Sequence, residues 1–104
     1  MLAPRDTLWS TPGEGVAVAC DLLRLTSADT VYDVGCGDGR FLVEAAKRGA
    51  TCVGVEIDAA RAAEARAAVE AAGVSDGATV VVGNGLEVDL SGATAVFLYL
   101  IPRG

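Results

Sequence analysis

The stretch Val31-Tyr32-Asp33-Val34-Gly35-Cys36-Gly37-Asp38-Gly39-Arg40 constrains this chain more than any other part of it. β-Forming residues lead into an acid, and three glycines follow at alternate positions. A helical pattern then begins at once with Phe41-Leu42-Val43-Glu44-Ala45-Ala46. A buried strand, a tight turn and a helix N-terminus therefore come in immediate succession. Glycine tolerates positive φ and lets a ligand approach the main chain closely. Three of them at this junction predict a small molecule lying against bare backbone.

The remaining segments arrange themselves around that junction. The first dozen residues read as irregular. Thr11-Pro12-Gly13-Glu14 predicts a helix start, with Thr11 as N-cap, Pro12 as first helical residue and Glu14 as the reciprocal acid of a capping box. The apolar face continues through Val16, Ala19, Cys20, Leu22 and Leu23. A first strand is expected over 30–34, then a helix over 40–48 closed by Gly49 as a left-handed C-cap. A second strand, 51–56, is nearly all apolar and ends in Glu56, as strands buried in a parallel sheet do. Asp58 caps an alanine-rich helix over 59–72 that stops at Gly73. A third strand over 78–82, the loop Gly83-Asn84-Gly85 and a fourth strand over 93–100 complete the pattern. Strands alternating with helices predict an α/β fold, a Rossmann-like doubly wound parallel sheet with right-handed crossovers. At 104 residues the chain holds one domain at most.

Composition narrows the possible functions. The formal net charge is −6, and Lys47 is the only lysine. No basic patch of the kind that contacts phosphates is visible, which disfavours nucleic acid as a partner. Cys20, Cys36 and Cys52 form no CxxC pair, and histidine is absent, so neither zinc nor a disulfide framework is expected. No apolar run approaches the roughly 18 residues of a membrane span, and the N-terminus lacks a signal-peptide layout. These features predict a cytoplasmic protein without a membrane segment or a metal.

In open α/β sheets ligands bind beyond the carboxyl ends of the strands, where strand order reverses. The glycine turn sits at such an end. A dinucleotide fingerprint starting at Gly35 needs its third glycine where Arg40 stands. Asp33 at the end of the strand would repel a pyrophosphate and attract a cation. A P-loop is excluded by the absence of Gly-Lys-Ser/Thr.

Asp33-Val34-Gly35-Cys36-Gly37-Asp38-Gly39 resembles the first motif of class I S-adenosylmethionine-dependent methyltransferases, and Val55-Glu56-Ile57-Asp58 resembles the second. The resemblance implies strand order 3-2-1-4 for the four strands above, the N-terminal half of that fold. It also implies S-adenosyl-L-methionine as cofactor, bound by Asp33, Gly35, Cys36, Gly37 and Gly39 of the turn. Glu56 would accept from both ribose hydroxyls and Ile57 would pack on adenine. Where the family often has Gly-Asp after the third strand, this chain has Gly83-Asn84. The Asn84 amide oxygen, with Gly85 beside it, would still accept from the adenine amino group, without the charge. Tyr99, at the end of the fourth strand, would line the methyl-transfer end of the pocket.

At a finer level, Gly37-Asp38-Gly39-Arg40, Phe97-Leu98-Tyr99-Leu100-Ile101-Pro102 and Thr11-Pro12 are similar to a group of small protein-lysine methyltransferases. The Asn/Asp-Pro-Pro-Tyr/Phe stretch of enzymes that methylate amino groups in nucleic acids is replaced by Leu98-Tyr99-Leu100-Ile101-Pro102. A protein or small-molecule acceptor is thus favoured over nucleic acid. The family usually continues beyond a fourth strand, so Ala95-Val96-Phe97-Leu98 is expected at an open apolar edge, a site for self-association. A fragment of a longer enzyme, a chain completed by pairing, and a cofactor-binding module without turnover all stay open at this point.

Overall fold

Short runs rich in valine, threonine and cysteine favour extended backbone, because branched side chains pack well on a pleated surface. Five such runs form the sheet: β1 (Asp6–Ser10), β2 (Thr30–Val34), β3 (Thr51–Glu56), β4 (Ala78–Val82) and β5 (Ala95–Tyr99). The helices α1 (Arg40–Lys47) and α2 (Ala59–Ala71) fill the connections on either side of β3. The computed structural model describes residues 6–10, 20, 21, 23–84 and 87–99, with the backbone alone for 6–10, 98 and 99. Most of the helix predicted from Thr11 lies outside the described residues; Cys20, Asp21 and Leu23 are helical.

All pairings are parallel, in the order β1-β5-β2-β3-β4. The four predicted strands therefore stand in the expected sequence 3-2-1-4. The prediction of an irregular N-terminus is corrected: Asp6–Ser10 is a strand in register with Ala95–Tyr99. Consequently β5 has a neighbour on both sides, and the expected open edge for self-association there is absent. The sheet edges among the described residues are β1 and β4. On the outer side of β4 the Val80 carbonyl accepts from Arg66 Nη2 of α2 at 3.0 Å. That bond occupies an acceptor which an unguarded edge leaves open to other strands.

Side chains alternate across a strand. Register therefore puts Val31, Asp33, Cys52, Gly54, Ala78, Val80, Ala95 and Phe97 on one face, all of them buried. The helices pack on this face, where Phe41, Leu42, Ala45, Ala62, Ala65 and Val69 complete one continuous core with Cys20, Leu23 and Leu25. The opposite face carries half-buried Tyr32, Val34 and Val53 and exposed Thr79 and Val81. At the amino end of the sheet, buried Asp29 links three elements. Its carboxylate accepts from Thr26 N at 2.9 Å and Thr94 Oγ1 at 2.7 Å, while Thr94 Oγ1 accepts from Thr30 N at 3.0 Å. No helix among the described residues is long and apolar enough to cross a membrane.

Alanine at the contact faces lets α1 and α2 approach closely. A Cβ on Gly39, which has φ +88°, would lie 3.0 Å from Ala65 Cα, a backbone atom that cannot move aside. Gly73 has φ +73° but nothing within 4 Å of its Cβ position. Gly39→Ala is expected to lose about 2–4 kcal/mol of unfolding free energy, combining backbone strain and overpacking. Gly73→Ala meets only the backbone penalty, about 1–2 kcal/mol. Equal losses in urea titrations of the two variants would show that the helix contact does not matter.

Candidate functional site

The carboxyl end of β2 opens directly into the glycine turn. Gly35, Gly37 and Gly39 have φ values of +77°, +54° and +88°, a conformation that side-chain-bearing residues adopt only with strain. The turn is fastened to the neighbouring strand, because Gly35 N and Cys36 N both donate to the Val55 carbonyl, at 2.8 and 3.1 Å. It then feeds α1 through Gly39 N to the Cys36 carbonyl at 2.9 Å and Val43 N to the Gly39 carbonyl at 2.9 Å. Asp38 stabilises the entry, accepting from Arg40 N at 3.3 Å and Arg40 Nε at 2.9 Å.

Glu56 closes β3 and faces this turn. Its Oε1 accepts from Gly37 N at 2.8 Å and its Oε2 from Asp58 N at 3.0 Å. The carboxylate is thereby fixed in orientation while each oxygen retains capacity for a further donor. Two adjacent hydroxyls are the partner that such a pair of parallel acceptors suits. Ile57 follows with 71% of its surface exposed, and Val82, in register with Glu56, is 44% exposed at the end of β4. Two exposed aliphatic side chains thus stand next to the fixed carboxylate in sequence and in register. Asp58 turns away to cap α2, accepting from Ala60 N at 2.8 Å and Arg61 N at 3.2 Å.

Asp33 is the unusual group. It is 1% exposed, and neither carboxyl oxygen has a hydrogen-bond partner among the described residues. Register places Phe97 of β5 on one side of it and Gly54 of β3 on the other. Phe97 stacks on Phe41 with ring centroids 3.9 Å apart, so the carboxyl is walled by aromatic carbon. Gly54 leaves room that is filled by Cys36 and Leu42: a Cβ there would meet Leu42 Cδ2 at 2.9 Å and Cys36 Sγ at 3.0 Å. Burial first, then the like charges of Glu56 and Asp38, push the Asp33 carboxyl up to about 8.

The remaining sequence candidates are distributed as follows. The Cys36 side chain is turned into the core, and burial pushes its thiol up to about 12, so only its backbone belongs to the turn surface. Asn84 is half-buried just past β4, where its backbone carbonyl accepts from Glu87 N at 3.0 Å. Gly85 lies outside the described residues, as does the Tyr99 side chain. The Tyr99 backbone ends β5 one residue beyond the Val34–Leu98 pair, level with Gly35.

Two residues escaped the sequence reading. Val82 was signalled only by being apolar immediately before Gly83. Arg61 lays its guanidinium over Gly37, with Nη2 3.1 Å from where a Cβ would stand, and periodicity alone marks it as a solvated helix position.

The Asp33 proton has a consequence for stability. An unfolded chain sheds it near the ordinary value of 3.8, whereas the folded chain keeps it to about 8. The folded state therefore binds more protons in that window, and stability falls as pH rises through it, levelling off above. The unfolding free energy of wild type relative to Asp33→Asn should decline steadily from about pH 5 to 8. A difference independent of pH would mean that Asp33 is already ionised in the fold.

A family model described as ANTKMT methyltransferase domain matches residues 33–104. A protein of Saccharolobus islandicus strain REY15A named protein-lysine N-methyltransferase is 43% identical over 93 residues, which are 88% of this chain and 58% of that protein. An RNA methyltransferase from Salinibacter ruber, solved in complex with S-adenosyl-L-homocysteine, superposes with a TM-score of 0.82 at 39% identity. That match covers 89% of this chain and 61% of the other. A SAM-dependent methyltransferase from Thiobacillus denitrificans, also in complex with S-adenosyl-L-homocysteine, gives a TM-score of 0.61 at 26% identity over 65% of this chain and 28% of that one. The chain thus spans about three fifths of the first two relatives. Strand order agrees with these matches, and the chain belongs to the family of the ANTKMT methyltransferase domain.

Proposed function

We propose that this chain binds S-adenosyl-L-methionine and serves the transfer of its methyl group to a lysine side chain of a protein. The observation that carries the reading is the Glu56 carboxylate, held on Gly37 N and Asp58 N beside the glycine turn, with each oxygen able to accept one more donor. The residues fit the group part by part. Glu56 takes the two ribose hydroxyls, Ile57 and Val82 enclose the adenine, and the Gly35–Gly39 turn admits the chain between ribose and amino acid. Asp33 supplies the buried acid for a cationic group. Asn84 offers a neutral acceptor near the adenine edge.

When bound, the cofactor supplies an electrophilic methyl on a sulfonium sulfur. Catalysis by this chain is then mainly a matter of alignment, since holding two reactants in line replaces a bimolecular encounter. Rigid fastening of the turn to Val55 and Glu56 provides that alignment. Tyr99, level with the first turn glycine, is assigned to the wall where the acceptor enters.

A lysine acceptor is supported by the charge of the chain, −6 from fourteen acids and eight bases. A cationic substrate is drawn to such a surface, whereas an RNA phosphate backbone is repelled. The Saccharolobus relative carries a protein-lysine name. The Salinibacter relative carries an RNA name, which makes RNA the acceptor to test against it. The buried free thiols of Cys20, Cys36 and Cys52 suit a reducing compartment, and we place the chain in the cytoplasm.

Titration calorimetry should show binding of S-adenosyl-L-methionine and none of NAD. Glu56→Ala removes charge-assisted hydrogen bonds of about 1.5–3 kcal/mol each, so affinity should drop about a hundredfold or more. Unchanged affinity would falsify the ribose assignment. Incubation with methyl-labelled cofactor should put label into lysine-containing protein rather than RNA. Label in RNA alone reverses the acceptor, and binding without any label indicates a cofactor module.

A further inference from the structure

The turn described above explains how a nucleoside is held but not why an acid stands, walled in and unpartnered, beneath it. Asp33 is 1% exposed between Gly54 of β3 and Phe97 of β5, and neither oxygen takes a hydrogen bond among the described residues. An unpaired ionised carboxylate in such a place is heavily penalised, and the group avoids the penalty by keeping its proton. The titratable neighbours oppose ionisation further. Glu56 faces it from the end of β3 and Asp38 from the turn, both acids. The thiols of Cys36, Cys52 and Cys20 feel its charge from the turn, β3 and the helical segment before β2. From α2, Arg61 brings its guanidinium over Gly37 on the turn.

We infer that Asp33 is a specificity-determining residue that exchanges its proton for a cationic ligand: it is neutral in the free protein and ionises when a positive group settles over the glycine turn. The proton leaves to bulk solvent, and the arriving cation replaces it as the countercharge. A positively charged nucleoside is thereby favoured over a neutral one of the same shape, and the preference strengthens as protons become scarcer. The inference rests on the cofactor reading above. It accords with the carboxyl being held up to about 8, so that near neutral pH most molecules have a proton to give.

Calorimetry in buffers of differing ionisation enthalpy counts protons released per ligand bound. At about pH 7, wild type should release close to one proton more per S-adenosyl-L-methionine than Asp33→Asn, an isosteric and uncharged variant. Wild-type affinity, relative to that variant, should climb several-fold per pH unit between about pH 6 and 8 and then level off. Adenosine, which fills the ribose and adenine positions without a cation, should release none. Glu56→Gln, which removes the neighbouring like charge, should release fewer protons per ligand than wild type. Equal release from wild type and Asp33→Asn, or equal release with adenosine, overturns the inference. Absence of any S-adenosyl-L-methionine binding to wild type instead overturns the cofactor reading itself.

Discussion

The hydrogen bond from Gly37 N to Glu56 Oε1, 2.8 Å long, joins two residues nineteen positions apart and is the contact on which the site depends. It ties the middle of a left-handed turn to the end of the adjacent strand. With the two bonds to the Val55 carbonyl, it converts a glycine-rich segment into a rigid floor. Glycine is needed at position 37 because its φ is +54°, a conformation that a side chain makes strained. At Gly54 the missing side chain itself matters, because it gives Cys36 and Leu42 their places. The absence of a Cβ there lets turn, sheet and helix meet.

What was legible in the sequence follows from how local each signal is. Strands Thr30–Val34, Thr51–Glu56 and Ala78–Val82 are β-branched runs bounded by turns, and the structure forms all three with those limits. Asp58 as helix cap was equally readable, because a cap bonds residues two and three positions away. β1 was not readable. Asp6-Thr7-Leu8-Trp9-Ser10 is five residues long without clean alternation, and its pairing with β5 is a property of distant sequence. The misreading propagated: an unseen β1 left β5 with an apparent free edge, where the structure has a neighbour.

The site shows the same division. Position and acid type singled out Glu56, and alternate spacing singled out the turn glycines, and the structure brings the two together through the Gly37 N–Glu56 bond. Burial was invisible in both directions. Asp33 was read as an acid at the end of the strand, beneath the turn; that it is 1% exposed, beside Phe97 of a strand 64 residues away, could not be read from the residues around it. Cys36, grouped with the turn by its number, sends its thiol into the core instead. Val82 was missed because an exposed valine at a strand end is not a sequence pattern.

The place of β5 in the sheet also governs how the molecule can assemble. Strands β2, β3 and β4 are neighbours both in sequence and in space, each joined by a single helix, so their contacts close short loops. β5 is different: Val31 pairs with Ala95 and Asp6 with Ala95 as well, so one late strand bridges two early ones. Loop closure over such distances is entropically costly, and folds dominated by it are slow. During synthesis, β2 to β4 can therefore gather their crossover helices first. The Asp33 pocket acquires its Phe97 wall only when β5 has entered between β1 and β2, so enclosure of the acid waits on a pairing between distant parts of the sequence.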